Sequence, residues 1–235
     1  MIVTSFNKKL FDEYAWKFID SYLDKEIKIP LHIYVEDGEY PSYVGRNITF
    51  HNLFEEDPEC KAFVHRNRSR QPTNYMKDGV RFCYKVFAQY QGSKLGDKML
   101  WIDADSVFLN YIDEEWISNV LGGKFVAFFD RPGMYTECGF MAYDLTKPCS
   151  PAFFEQFRNM YITDAIYKLP DHTDCHAFDY VRNMCKRLEG YSEKPLGQYK
   201  KHRKLHVMAL DPFMSQYIDH RKGNRKQKDK SPELL

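Results

Sequence analysis

Two carboxylates separated by one residue follow the most strand-like apolar stretch of the sequence. The run from Met99 to Ile102 is continuous and apolar, which is typical of a strand buried on both faces of a parallel sheet. Asp103 and Asp105 come directly after it, and residues i and i+2 of a strand point the same way. They are therefore predicted to meet at the strand's carboxyl end, where open α/β sheets bind ligands. Paired carboxylates suit a hard divalent cation, and such a cation suits a diphosphate; a solvated turn is the plainer explanation.

The composition is that of an ordinary globular protein of 235 residues, enough for one good-sized domain or two small ones. The formal net charge of +1 points to no particular class of partner. Six cysteines show no CxxC pair and no zinc-binding spacing, so we expect mostly buried thiols in a reducing compartment. No segment resembles a signal peptide and no apolar run approaches the ~20 residues of a membrane span. These features predict a cytoplasmic location.

The first third of the chain has the pattern of a βαβ unit. Strands are predicted at 2–6 and 31–35, and the stretch 9–23 between them has the apolar spacing of a helix. Such a unit implies a right-handed crossover and a parallel strand pair. Residues 4–7 contain no glycine, so the dinucleotide-binding fingerprint is absent. The predicted fold class is α/β: a single Rossmann-like domain with a mainly parallel central sheet flanked by helices.

Periodicity and turn residues predict the remaining elements. Helices are expected over 80–90, 112–121, 150–168 and 177–188, and strands over 124–129, 137–143 and 205–210. Residues 40–77 are expected to be irregular, because prolines and a glycine interrupt them.

Several polar residues and one glycine in these elements are candidates for binding. Arg81 and Lys85 lie one turn apart on a predicted helix; both are simply solvated, or Lys85 lies over a phosphate or sugar of a ligand. Gly139 sits at the start of a predicted strand, which indicates close backbone approach by a ligand or a bulge. Asp171 and Asp174 precede a helix and are candidate catalytic groups, although aspartates there often act only as caps.

The C-terminal segment combines an imidazole with basic residues. His220 can ligate a metal as a neutral imidazole, while Lys222, Arg225 and Lys226 can contact phosphate oxygens. A flexible basic tail is the alternative explanation, and it is the prediction for residues 227–235.

Six segments, taken in their order and spacing, resemble those of a small glycosyltransferase of the A-type (GT-A) fold, of phage or bacterial type. The segments are VTSFN, RFCYKVFA, WIDADSVFL, ECGFMAYDL, HTDCHAFDYVR and YIDHRKGNRK. They span nearly the whole chain, which predicts one domain over residues 1–226. The sequence is also similar to the retaining glycosyltransferases of glycogenin type, with one departure. Their His-x-x-Gly-x-x-Lys-Pro-Trp ending is replaced by His220-Arg-Lys-Gly223, which leaves open the register of the phosphate contacts and the stereochemical outcome.

The resemblance implies transfer of a monosaccharide from a nucleoside-diphosphate sugar, such as a UDP-sugar, to an acceptor hydroxyl. It implies a Mn²⁺ or Mg²⁺ cofactor held by Asp103, Asp105 and His220. The donor-binding residues, including the basic candidates already named, are Thr4, Ser5, Phe6, Asn7, Asp37, Arg81, Lys85, Asp103, Ala104, Lys222, Gly223, Arg225 and Lys226. Asp174 is implied to lie beside the transferred sugar.

The chemistry leaves two stereochemical routes open. A diphosphate leaves readily only when its growing charge is neutralised, which a metal with Lys and Arg can do. An inverting enzyme also needs a carboxylate base, for which Glu137, Asp171 or Asp174 could serve. A retaining enzyme needs no base in that place, and the resemblance favours retention.

The acceptor and the protein class have alternatives. The expected acceptor is a glycan, a lipid-linked molecule or a small molecule. The alternative acceptor is a hydroxymethylated base in phage DNA, because basic clusters that could bind a phosphate backbone occur at 66–70 and 200–204. A phosphatase of the haloacid dehalogenase type would use Asp103 as nucleophile and Asp105 as acid/base, but its motif normally lies on the first strand. A non-catalytic nucleic-acid-binding module is the third class, against which the near-zero net charge argues.

Overall fold

Seven strands form a central sheet, and two more pair in a small separate ribbon, within the residues that the computed structural model describes, 1–38, 47–70, 72–199, 206–223 and 225. In chain order the strands are β1 (Ile2–Phe6), β2 (Leu31–Val35), β3 (Ile48–Asn52), β4 (Lys98–Ile102), β5 (Ser106–Phe108), β6 (Val126–Asp130), β7 (Glu137–Asp144), β8 (Glu193–Gln198) and β9 (Ile218–His220).

The central sheet has the order β3-β2-β1-β4-β7-β6-β8. Strand β7 runs antiparallel to both of its neighbours, and the other pairs in the sheet are parallel. The predicted mainly parallel α/β sheet is therefore confirmed. Strand β4, which precedes the two carboxylates, occupies the middle of the sheet and is buried over its last four residues.

Helices cover both faces of the sheet. They are α1 (Lys8–Leu10), α2 (Trp16–Asp24), α3 (Leu53–Glu56), α4 (Pro58–Asn67), α5 (Gly79–Gly92), α6 (Glu114–Leu121), α7 (Ser150–Ile162), α8 (Asp174–Cys185) and α9 (Val207–Leu210), with a π-helical segment, Phe11–Ala15, between α1 and α2. One apolar cluster packs α4, α5, α7 and α8 on one face, and a second packs α2 and α6 on the other. Successive residues of β1 enter different clusters, Ile2 in one and Val3 in the other, because both faces of the strand are buried.

Three expectations about local structure are wrong. The stretch expected to be irregular contains β3, α3 and α4, and Pro58 is compatible with α4 because it lies at the start of that helix rather than in its interior. Within the strand expected over 205–210, Val207–Leu210 forms the short helix α9, since so brief a run does not distinguish the two; residue 205 lies outside the described residues. The helix predicted over 150–168 ends at Ile162; Asp164 adopts a left-handed backbone, and a 3₁₀ turn follows over Ala165–Lys168.

Strand β8 was not expected from the sequence. Its residues, EKPLGQ, lack apolar alternation and include a proline. The strand lies at an edge of the sheet, where a missing backbone donor is tolerated.

All six cysteines are free thiols, five buried and Cys175 partly exposed, as expected. Within the described ranges, no helix has the length and apolar character needed to cross a membrane.

Candidate active site

The two carboxylates after β4 meet an imidazole from the end of the chain. Strand β5 pairs antiparallel with β9, with Ser106 opposite His220. The backbone N–H of Arg221 also donates to the carbonyl of Asp105, at 2.8 Å. This pairing brings Nε2 of His220 to 2.8 Å from Oδ1 of Asp105 and 3.8 Å from Oδ2 of Asp103. The three residues implied as metal ligands therefore lie together at the carboxyl end of the central strand.

These side chains form a donor set that fits a divalent cation. One ligand atom from each of Asp103, Asp105 and His220 lies within 4.8 Å of the other two. Two carboxylate oxygens and an imidazole nitrogen suit Mn²⁺ or Mg²⁺ better than a soft cation. A bound cation would also neutralise the two adjacent carboxylates.

The imidazole of His220 is completely buried and sits directly over Gly139 of β7. A Cβ at this position would come within 2.4 Å of Cε1 and 2.7 Å of Nδ1 of His220, closer than real contacts allow. The close approach that the sequence indicated here is made by the protein's own histidine. The ring of His206 packs edge-on against His220, with centroids 4.3 Å apart.

Helix α5 carries Lys85 into the centre of the site. Its Nζ lies 2.7 Å from Oδ1 of Asp103 and 2.9 Å from Oδ2 of Asp174. The indole N–H of Trp101 donates to the same oxygen of Asp103, at 2.9 Å. Burial opposes the charge of Lys85, but the two carboxylates outweigh it and hold its pKa well above the ordinary value. Lys85 is thus a buried link between the two aspartates, whereas Arg81, one turn earlier, is exposed.

Asp174 and Asp171 have different environments although three residues separate them. Thr173 caps α8 by accepting the backbone N–H of His176, so neither aspartate is the capping group. Asp174 is buried against Lys85. Asp171 is partly exposed and pairs with Lys77 at 3.2 Å.

Glu137 is the centre of a buried charge cluster that the sequence did not reveal. Its carboxylate lies 2.8 Å from Arg131, 2.9 Å from Lys222 and 3.1 Å from His206. Burial opposes its ionisation, but Lys222, His206 and Arg131 together hold the pKa of Glu137 well below the usual range. In the same cluster, burial and the neighbouring His220 lower the pKa of His206 to about 4. A carboxylate whose pKa is lowered in this way holds the neighbouring cations in position and is a weak proton acceptor.

The carboxyl ends of β1 and β2 form a polar corner. Ser5 and Asn7 donate to the two oxygens of Glu36, at 3.0 and 3.2 Å. Asp37 accepts the backbone N–H of Lys8 at 2.8 Å. Burial raises the pKa of Glu36 to about 7, although the hydrogen bonds from Ser5 and Asn7 oppose the shift. Glu36 was missed by sequence reasoning, and its position directly after an apolar strand was the available signal.

Tyr14 belongs to the π-helical segment between α1 and α2. Burial and the charges of Asp105, Asp103 and Glu36 raise its pKa. Its helical spacing had indicated only a core residue.

Some residues implied as donor-binding are buried or already engaged. Thr4, Phe6 and Ala104 are almost completely buried, so their backbone rather than their side chains could face a ligand. Arg225 pairs with Asp219 at 2.5 Å. Gly223 adopts a left-handed backbone, with φ of 61°. Lys226, the tail 227–235 and the basic cluster 200–204 lie outside the described residues.

The basic cluster at 66–70 is largely used within the fold. Arg66 pairs with Asp164 at 3.1 Å and also donates to the carbonyls of Tyr161 and Ile162. Arg70 stacks on the ring of Tyr167, 4.3 Å from its centroid.

Solved structures share this architecture. Mouse xyloside xylosyltransferase 1 superposes with a TM-score of 0.50 at 13% identity, covering 82% of this chain and 84% of its own. The chain has the A-type glycosyltransferase fold. Two further solved structures are similar. The bifunctional glycosyltransferase WbbM superposes with a TM-score of 0.49 at 14% identity, covering 77% of this chain and 36% of its own. Galactosyltransferase LgtC, solved with donor and acceptor sugar analogues, superposes with a TM-score of 0.47 at 13% identity, covering 95% of this chain and 87% of its own. No protein-family model matches the sequence, and no curated protein matches it.

Proposed function

We propose that this protein is a metal-dependent glycosyltransferase that moves a monosaccharide from a nucleoside-diphosphate sugar, of the UDP-sugar class, to an acceptor hydroxyl. The observation that carries the proposal is the convergence of Asp103, Asp105 and His220 at the carboxyl end of the central strand. These three residues would hold Mn²⁺ or Mg²⁺. The cation, when bound, supplies positive charge against the leaving diphosphate. The fold supports the same assignment.

Cationic side chains of the protein would also stabilise the leaving diphosphate. Lys222 lies at the edge of the Glu137 cluster with 47% of its side chain exposed, so its ammonium can reach a phosphate oxygen. Glu137 keeps Lys222 and Arg131 charged and positioned. As the bond from the anomeric carbon to the diphosphate oxygen breaks, these cations stabilise the charge that develops on that oxygen.

The corner at β1 and β2 would bind the nucleoside. Ser5, Asn7 and Asp37 belong to the donor-binding set, and Glu36 joins them as a partly buried acceptor. Above its pKa of about 7, Glu36 accepts but does not donate, which suits a base that presents an N–H, such as uracil. This chemistry supports the UDP-sugar class.

Among the three candidate catalytic carboxylates, Asp174 has the best-suited environment. Glu137 is bound by three cationic or imidazole partners, and Asp171 is partly exposed and pairs with Lys77 rather than with Lys85. Asp174 shares Lys85 with Asp103, so it lies beside the proposed donor site. There its charge would stabilise the positive charge that develops on the sugar. This role suits the retaining outcome that we propose by resemblance.

For the acceptor we propose a glycan or another small hydroxyl compound. A hydroxymethylated base in phage DNA remains the second acceptor, but Arg66 and Arg70 of one motivating cluster are engaged internally. Sugar transfer to hydroxymethylated DNA, with unmodified DNA as control, tests it directly. The free thiols support a reducing, cytoplasmic setting.

Equilibrium binding of UDP with and without Mn²⁺, followed by a screen of nucleotide sugars for hydrolysis, tests the function. We expect tight binding only with the metal, and loss of most activity in Asp105→Asn, which removes a charged ligand. Asp24→Asn, whose exposed carboxylate pairs only with neighbouring Lys25 among the contacts described, is the matched control. Metal-independent turnover, or a fully active Asp105→Asn variant, would refute the proposal. Phosphate release from a phosphomonoester would instead favour the phosphatase alternative.

A further inference from the structure

Two thiols converge beside the buried carboxylate of Asp174. The Sγ atoms of Cys138 and Cys175 and an oxygen of Asp174 lie within 4.8 Å of one another. Cys138 reaches this point from β7 and Cys175 from the first turn of α8, so two separate elements of the fold build the cluster. Cys138 and Asp174 are 2% and 3% exposed, whereas Cys175 is partly exposed and gives access from the surface.

The donor set differs in kind from that of Asp103, Asp105 and His220. Thiolate sulfur selects soft or borderline cations such as Zn²⁺ over Mn²⁺ and Mg²⁺. Tetrahedral zinc with bonds of about 2.3 Å to sulfur places two sulfur ligands about 3.8 Å apart. Since the two sulfurs lie within 4.8 Å of one another, a shift of about 1 Å at most brings them to this separation.

The charges at this position largely offset one another. Two thiolates and one carboxylate carry three negative charges, and a divalent cation leaves one. The ammonium of Lys85 lies 2.9 Å from Asp174 and is shared with Asp103 at 2.7 Å, so it offsets part of this remaining charge. A positive charge beside the cluster lowers the free-energy cost of burying it.

We propose that Cys138, Cys175 and Asp174 bind a thiophilic divalent cation of the zinc class. Binding forms two zinc–sulfur bonds and one zinc–oxygen bond, releases two thiol protons, and leaves every oxidation state unchanged. A further consequence rests on the proposed function. An Asp174 carboxylate that ligates zinc could not also stabilise the positive charge on the transferred sugar. Zinc would therefore inhibit sugar transfer.

Titration of the full-length protein with Co²⁺ tests the site without any substrate, since only a thiolate ligand gives cobalt its near-ultraviolet charge-transfer band. We expect the band in the wild type, its loss on adding Zn²⁺, and its persistence in excess Mn²⁺. It should disappear in both Cys138→Ser and Cys175→Ser. Cys185→Ser is the matched control, because Cys185 lies at the other end of α8.

Asp105→Asn should keep the band, since it alters only the oxygen and nitrogen site. Circular dichroism checks that each variant is folded, and the partly exposed Cys175 makes Cys175→Ser the decisive variant if Cys138→Ser unfolds. No band in the wild type, or a band that survives in folded Cys175→Ser, overturns the proposal.

Zinc inhibition is measured separately, as the ratio of sugar transfer with and without buffered Zn²⁺ at saturating Mn²⁺. We expect a fall in the wild type and none in Cys175→Ser; equal inhibition of both would remove the regulatory consequence. A protein that shows the band but transfers no sugar would retain the metal site and lose only the proposed function.

Discussion

The Nε2 atom of His220 lies 2.8 Å from Oδ1 of Asp105, and the backbone of Gly139 lies directly beneath the imidazole. The pairing of β5 with β9 fixes the first relationship, and the missing Cβ of Gly139 permits the second. The proposed metal site would therefore depend on Gly139, a residue that is not itself one of the proposed ligands.

Gly139→Ala should therefore weaken metal binding. The added methyl forces the imidazole of His220 to move and costs about 1–3 kcal/mol of stability through overpacking. Calorimetric titration with Mn²⁺ and urea unfolding measure the two effects. Gly96→Ala is the control, because its Cβ would approach only the flexible end of Met1. Unchanged Mn²⁺ affinity in Gly139→Ala would contradict the geometry.

Lys85→Met should be among the most destabilising single substitutions in the site. It leaves the carboxylates of Asp103 and Asp174 without their shared cation, and breaking a buried pair costs about 3–5 kcal/mol. Denaturant unfolding measures the loss, and the double variant Lys85→Met/Asp174→Asn should recover part of it. Lys94→Met, two residues beyond the end of the same helix and exposed, should change little. Equal effects at the two lysines would argue against a buried link.

Stability should fall between pH 4.5 and about 7 because of Glu36. Burial raises the pKa of Glu36 from 4.5 to about 7, so the folded state binds the proton more tightly than the unfolded state. The resulting stabilisation is present below pH 4.5 and is lost as the pH rises through 7, a change of about 3 kcal/mol. Unfolding of wild type and Glu36→Gln across this range measures it. Parallel curves for the two proteins would show that Glu36 is not responsible.

Lys222→Gln should weaken donor binding without unfolding the protein. Its half-exposed ammonium is the cation of the Glu137 cluster best placed to reach a diphosphate. Loss of one charge-assisted contact costs about tenfold in affinity. UDP binding in the presence of Mn²⁺ measures the effect, with Lys186→Gln, which pairs with Asn183 on the surface, as control. A normal affinity together with a lowered thermal midpoint would make Lys222 purely structural.

The sequence by itself determined the elements whose signals are local. The apolar run before Asp103 predicted a buried strand with two carboxylates at its end, and the alternation of strands and helices at the start predicted a parallel sheet. Both predictions hold because side-chain period and burial on two faces are properties of a few consecutive residues. Strand β8 was not predicted because its residues lack apolar alternation, and α9 was not predicted because its four residues are too few to establish a period.

Only the tertiary structure decided which distant side chains meet and how burial alters them. Lys85 and Arg81 share one polar stripe in the sequence, yet the fold buries Lys85 between two aspartates and leaves Arg81 exposed. Glu137 was a candidate base, but its charge is fixed by His206 and Lys222, which arrive from the other end of the chain. Such contacts depend on strand order and helix packing, and the electrostatic environment follows from burial. No local pattern encodes either of them.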